Sequence, residues 1–479
     1  MGFKINRKIK TNVSTQLFEI LRENILQNNW KENAKFFSIR QVSIKYEVNP
    51  NTVLKVFQNL EEQGYLYSIK GKGSFIKKGY NLSVNERMTP ILNTFRYGQN
   101  QNAAEINLSN GAPPQEYFPV DEYKKIVNEI LSDSSESKKY FGYQEIQGTQ
   151  ELRKELVNFV SRYGIRTTKE DIIICSGTQS VLNLIGTTFS NIPKKTLLLS
   201  NPTYQNAVHI LSNFCNVENI ELYSDGWDMK EFEQLLKKKK IDFIYIMTNF
   251  QNPTGMCWSL ENKRKLLQFS TKYDFYIIED ECFSDFYYDE QKVMSLKAMD
   301  KKERVFYIKT FSKIIMPGIA LAMLIPPKDF LDKLSINKYF IDTTTSGLNQ
   351  KVLEFFLKRG ILDRHLDNLR KILSFKMKYV IEKLKKIPHL EIINIPKGGF
   401  FLWIKLANYI DGEKFYYKCR LQGISILPGF IFYSNECSCC KIRISIVSAS
   451  VKEIDIAFQV IKDILLACDG IPNQKVLSI

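Results

Sequence analysis

At 479 residues the chain is too long for one ordinary domain, and a prior of about 150 residues per domain points to two to four. Its 44% apolar and 25% charged residues describe a globular chain and exclude a disordered one. The net charge of +16 is uneven: residues 1–80 hold 14 Lys/Arg against 6 Asp/Glu, a local excess of +8, which is the electrostatic footprint of a phosphate-backbone binder. No uninterrupted apolar stretch is long enough to cross a bilayer, so no membrane partner is expected. The opening residues MGFKINRKIK lack the apolar core of a secretory signal, which makes a cytoplasmic chain with reduced thiols the expectation. Cys437, Cys439 and Cys440 lie close together, but no second CxxC or His pair stands at metal-ligand spacing, so no metal is expected. Three histidines (His209, His365 and His389) leave little material for a His-centred triad.

In chain order, Leu17, Ile20, Leu21 and Ile25 form the first helical pattern. Ser38 starts a second helix, with Gln41 placed to complete a capping box and Ile39, Val42 and Tyr46 on one side. Asn49-Pro50 opens a third helix, an N-cap residue followed by proline at the first helical position. Val53, Val56, Phe57 and Leu60 then repeat at i, i+3, i+4, i+7, and Gly64 stops the pattern. Tyr65–Lys70 and Ser74–Lys77 flank Gly71-Lys72-Gly73 as a basic hairpin. Three helices plus a hairpin predict a winged helix-turn-helix. In that fold the third helix enters the major groove, so Asn51, Thr52 and Lys55 face base edges. Arg40, Lys70 and Lys72 are placed to reach phosphates. The run from Ser38 to Ile76, including the GKGSF of the hairpin, resembles the GntR-family DNA-binding domain over nearly its whole length.

Residues 79–105 lack periodicity and read as a linker after a domain of residues 1–78. From residue 106 to 479, compact apolar strands alternate with helical segments: Ile172–Cys175, Thr196–Ser200, Phe243–Thr248, Tyr276–Glu279 and Val305–Lys309. That alternation predicts an α/β domain with a mainly parallel, doubly wound sheet.

This domain resembles the fold-type I aminotransferases that use pyridoxal 5'-phosphate (PLP). Such a protein needs a lysine for the Schiff base, an acid at the pyridine nitrogen, donors for the phosphate and flat groups against the ring. Ser176-Gly177-Thr178-Gln179 follows a strand and opens a helix, where backbone N–H groups can hold phosphate. Asn201-Pro202-Thr203-Tyr204 is similar to the family's NPTY segment, with Tyr204 against the ring. Asn252-Pro253-Thr254-Gly255 matches NPTG, whose Asn bonds the ring's 3'-oxygen. Asp280 ends a strand, where a carboxylate keeps the pyridine nitrogen protonated. Thr310-Phe311-Ser312-Lys313 matches SFSK, which makes Lys313 the implied Schiff-base lysine. Lys397-Gly398-Gly399-Phe400 and Leu427-Pro428-Gly429 also fit the pattern. Arg443 occupies the position of the arginine that clamps a substrate carboxylate.

Two departures bear on function. The family's phosphate-pairing arginine, seven residues after the lysine, is Ala320 here. A tyrosine expected just after the acid is missing from Glu279-Asp280-Glu281-Cys282-Phe283. Both argue against efficient multiple-turnover transamination and weaken the expectation of PLP.

A GntR-type winged helix followed by an aminotransferase-like domain is the architecture of the MocR subfamily. The resemblance implies a homodimeric transcription regulator that binds a double-stranded DNA operator. It implies PLP held as a Lys313 aldimine, with a small amine or amino acid as effector. A cofactor-free sensor with a decayed site, an active aminotransferase, and an RNA-binding or scaffolding role remain as alternatives.

Overall fold

The computed structural model describes residues 5, 7, 12–27, 30, 33–62, 65–69, 71–77, 106–132, 137–190, 194–288, 292–434 and 440–467. The expected linker, Gly64, Lys70, Cys437 and Cys439 lie outside the described residues. The chain divides into two compact units. One comprises Met1–Leu108, Lys414–Leu427 and Lys452–Ile479, the other Ser109–Glu413 and Pro428–Val451.

The first unit opens with helices α1 (Val13–Gln27), α2 (Ile39–Tyr46) and α3 (Pro50–Glu62). The capping box is present: Gln41 N donates to Ser38 Oγ, and Ser38 N donates to Gln41 Oε1 at 2.8 Å. Glu47 ends α2 in the left-handed region (φ 53°). Asn49 Oδ1 then accepts from Asn51 N at 2.8 Å at the start of α3. Val53, Val56, Phe57 and Leu60 pack with Leu17, Leu21, Ile25 and Val42 into one apolar core. Strands β1 (Leu66–Ile69) and β2 (Gly73–Ile76) pair antiparallel, and Lys35 forms a bridge to Phe75 beside them. Three helices followed by a two-stranded hairpin are thus present in that order. The same unit pairs β3 (Ile106–Asn107) in parallel with a late strand, Ile424–Ser425.

The second unit is built on a seven-stranded sheet. Its strands are β4 (Ile173–Cys175), β5 (Lys195–Asn201), β6 (Cys215–Glu221), β7 (Phe243–Ile246), β8 (Tyr276–Asp280), β9 (Val305–Thr310) and β10 (Ala322–Ile325), in the spatial order β4-β10-β9-β8-β7-β5-β6. β10 runs antiparallel to both of its neighbours, β4 and β9, and the remaining pairings are parallel. β6 and β10 are absent from the five strands expected from the sequence. Behind the sheet Trp227, Phe232, Trp258, Phe275 and Ile277 form an apolar cluster. A smaller antiparallel sheet pairs β11 (Leu390–Ile392) with β12 (Phe401–Leu406) and β12 with Lys441–Ser445. Gly255 permits close approach here: a Cβ would meet the Phe401 carbonyl oxygen at 2.5 Å. No helix among the described residues is long and apolar enough to cross a membrane.

Candidate functional site

An open α/β sheet gathers ligand-binding groups at the carboxyl ends of its parallel strands. β8 ends on Asp280, which is fully buried. Its Oδ2 accepts from the Tyr245 hydroxyl at 2.9 Å and its Oδ1 from the Cys282 thiol at 2.7 Å. Burial pushes the Asp280 carboxyl up from its ordinary range and the Cys282 thiol well above its own. Neither hydrogen-bond donor brings positive charge. A cationic ring nitrogen set against this acid would offset its desolvation, so Asp280 suits the pyridine nitrogen of PLP.

β9 ends on Thr310 and runs into the turn that carries Lys313. Ser312 N donates to Thr310 Oγ1 at 3.3 Å. Burial is the main cause lowering the Lys313 pKa, while Cys282 and Asp280 pull the other way. A lowered value leaves more neutral amine, the form that attacks a carbonyl.

The third group sits at the start of the helix Thr178–Phe189. Its N-cap is Gly177 at φ 104°, with no side-chain cap. A Cβ there would meet nothing, so the dihedral rather than space calls for glycine. Thr178 Oγ1 lies 3.5 Å from Cys282 Sγ. Gln179 and Asn206 make side-chain hydrogen bonds to Tyr204, whose ionisation burial pushes up. Ala320 is exposed and left-handed (φ 46°), and it offers no cation. The residues therefore fit PLP at the lysine and the ring. For the phosphate they offer a helix N-terminus and hydroxyls without the family's arginine.

Arg443 closes the arrangement. It is 3% exposed, with its guanidinium carbon 4.2 Å from the Phe401 ring centroid and 5.3 Å from that of Phe432. Nη1 donates to Asn252 Oδ1 at 2.8 Å, and Nη2 donates to the Ser109 carbonyl oxygen. Nε is buried without a partner among the described residues. Burial lowers the Arg443 pKa to about 9. A carboxylate is the natural complement of a desolvated guanidinium with an open N–H. Sequence reading missed Tyr245, Ser109 and the Phe401/Phe432 rings. It also missed a buried ion pair, Lys309 with Asp285, whose Oδ1 accepts from the Tyr163 hydroxyl at 2.7 Å. Their only sequence signal is apolar or polar type within a strand or turn.

In the N-terminal unit Arg40, Asn51, Lys55 and Lys72 are exposed and Thr52 is half-buried. Lys35, Lys45 and Lys77 are further exposed cations there, unremarked in the sequence reading. Among the described residues no group of His, Cys, Asp and Glu side chains is arranged to hold a metal.

Residues 103–461 match the model of the family described as aminotransferase class I and II. An aminotransferase of Saccharolobus solfataricus is 31% identical, over 69% of this chain and 84% of the relative. The HTH-type transcriptional regulator YdfD of Bacillus subtilis is 26% identical over 95% of this chain and 96% of the relative. Among solved structures, the kynurenine aminotransferase of Pyrococcus horikoshii superposes with a TM-score of 0.73 at 25% identity. That match covers 82% of this chain and 97% of the other.

Proposed function

The chain belongs to the class I and II aminotransferase family, and on that premise we propose that it is a DNA-binding transcription regulator whose aminotransferase-like domain holds PLP at Lys313 and senses a small amine or amino acid. In finer terms, residues 1–78 act as a GntR-type winged helix-turn-helix, residues 79–105 as linker and residues 106–479 as a MocR-type effector domain. The observation that carries the sensing half is the gathering of buried groups around Lys313: Asp280 and Arg443 lie near enough to act on its charge, and Asn252 is bonded to Arg443. The DNA half is supported by the near full-length similarity to a protein named as an HTH-type transcriptional regulator and by the exposed basic face around α3.

When bound, PLP supplies an aldehyde that condenses with amines and a ring that withdraws electrons. Lys313 would present a desolvated amine to that aldehyde. Asp280, held by Tyr245 and Cys282, would accept from the ring nitrogen. Asn252 has its carbonyl oxygen committed to Arg443, which leaves its amide N–H₂ to donate to the ring's 3'-oxygen. Tyr204 would lie against the ring, and Thr178, Gln179, Thr310 and Ser312 would hold the phosphate. Arg443 binds an incoming carboxylate. The missing arginine at Ala320 and the missing hydroxyl at Cys282-Phe283 favour sensing over turnover. For the ligand to regulate, it must bind two arrangements of the protein with different affinity.

A homodimer is supported by an apolar surface that one copy leaves exposed. Phe141, Tyr143 and Phe340 are 65%, 85% and 78% exposed. Their two segments are joined where Gln144 N donates to Thr344 Oγ1 at 3.0 Å. A second copy of the chain is the occupant this reading assigns to it.

The test is a gel-shift titration of the full chain on duplexes selected from a random-sequence pool. Lys55→Ala and Thr52→Ala are expected to weaken specific binding while the aminotransferase-like domain stays folded. Unchanged affinity in both variants would overturn the groove assignment.

A further inference from the structure

Helix α1 is buried around more of its circumference than the three-helix core requires. Leu17, Phe18, Leu21 and Ile25 enter that core. Gln16 and Ile20, each 2% exposed, lie to one side of that stripe and do not belong to its cluster. Arg22, 8% exposed, lies to the other side. There Nη2 donates to the Tyr417 hydroxyl at 2.6 Å, and the guanidinium carbon stands 5.5 Å from the Tyr417 ring centroid. Tyr417 is 8% exposed, and its ring meets that of the fully buried Tyr416 at 5.1 Å. A buried guanidinium needs hydrogen bonds and polarisable surface to replace its lost hydration, and a tyrosine supplies both. Lysine, a compact and strongly hydrated charge, is a poor substitute at such a position.

The geometry points to an anchored docking surface. Within the first unit Arg22 fastens α1 onto the segment Lys414–Leu427 of the same chain, and this docking steadies the three-helix core while leaving the face of α3 open. Asn51, Leu54, Lys55 and Gln58 on α3, and Arg40 and Lys72 beside it, all stay exposed with the anchor made. The DNA-competent form is therefore the docked form. Along the sequence Tyr417 leads on to Leu427-Pro428-Gly429 and to Phe432, whose ring flanks Arg443. The role in DNA binding rests on the function proposed above; the docking itself does not.

The experiment uses the full chain with a photo-reactive benzophenone side chain in place of Tyr417. Irradiation is expected to link position 417 to the α1 peptide within one chain. A link elsewhere, or to a second chain, would overturn the docking. Because that replacement can disturb a buried site, a double-mutant cycle with Arg22→Lys and Tyr417→Phe runs beside it. Each single variant is expected to lower the thermal midpoint by a few degrees, and the double to fall no further than the worse single. Additive losses would contradict the contact. With a saturating random-sequence duplex pool added, the link is expected to persist. Its loss on DNA binding would overturn the claim that the docked form is the competent one. A chain that fails to bind the pool but still forms the link would refute the proposed DNA-binding role and leave the docking standing.

Discussion

Arg443 Nη1 donates to Asn252 Oδ1 across 2.8 Å, joining two motifs 191 residues apart in the sequence. The bond holds the guanidinium beside the Phe401 and Phe432 rings and orients the Asn252 amide. Arg443 therefore serves a ligand carboxylate from a pre-set position, at a low entropic cost. Arg443→Ala is expected to weaken binding of amino acids by about one to two decades, from the roughly 1.5–3 kcal/mol of a charge-assisted hydrogen bond. Amines that lack a carboxylate should be affected much less. Ligand titrations by calorimetry on the PLP-loaded chain check this, and equal losses for both ligand classes would argue against the clamp.

Ala320 is exposed, so a longer side chain there meets no packing obstacle. Its left-handed φ of 46° is no worse for arginine than for alanine. Ala320→Arg is expected to tighten PLP binding by roughly ten- to a hundredfold, the worth of one charge-assisted bond to phosphate. Equilibrium dialysis against PLP measures it. An unchanged dissociation constant would place the phosphate out of reach of position 320.

Glu281 is 1% exposed and accepts from Asn249 Nδ2 at 2.8 Å. Burial, then the neighbouring Glu279, pushes its carboxyl up to about 8, while Lys263 and Lys309 pull it down. An acid whose folded pKa exceeds its unfolded value of about 4.3 keeps its proton longer in the native state. Its contribution favours folding below that window and is lost as pH rises toward 8. Stability should therefore fall across this range, and Glu281→Gln should flatten the profile, with its advantage growing toward alkaline pH. Chemical denaturation at several pH values tests the sign. Parallel profiles for parent and variant would show that Glu281 ionises alike in both states.

Much of this arrangement was legible in the sequence because helices and motif-bearing turns are local. The i, i+3, i+4, i+7 stripe of α3 and the Ser38/Gln41 box both specify their elements without outside help. The strand ends bearing Asp280 and Thr310 were legible as apolar runs that finish on a polar residue. β6 was not, because Cys-Asn-Val-Glu-Asn-Ile-Glu lies at the sheet edge and buries only part of its length. β10 is a four-residue run, and its antiparallel insertion between β4 and β9 has no local signature. The support of Asp280 by Tyr245 depends on β7 pairing with β8, and the rings around Arg443 include one from β12, the strand it pairs with. Such pairings depend on sheet order and register, which local patterns do not encode.

The most direct test of the account is the visible absorbance of the purified chain with PLP added, recorded beside Lys313→Ala. A band is expected that borohydride fixes to the protein, that requires Lys313 and that shifts when amines or amino acids are added. Absence of any Lys313-dependent band at saturating PLP would contradict it, and would leave a DNA-binding regulator whose pocket senses a ligand without the cofactor.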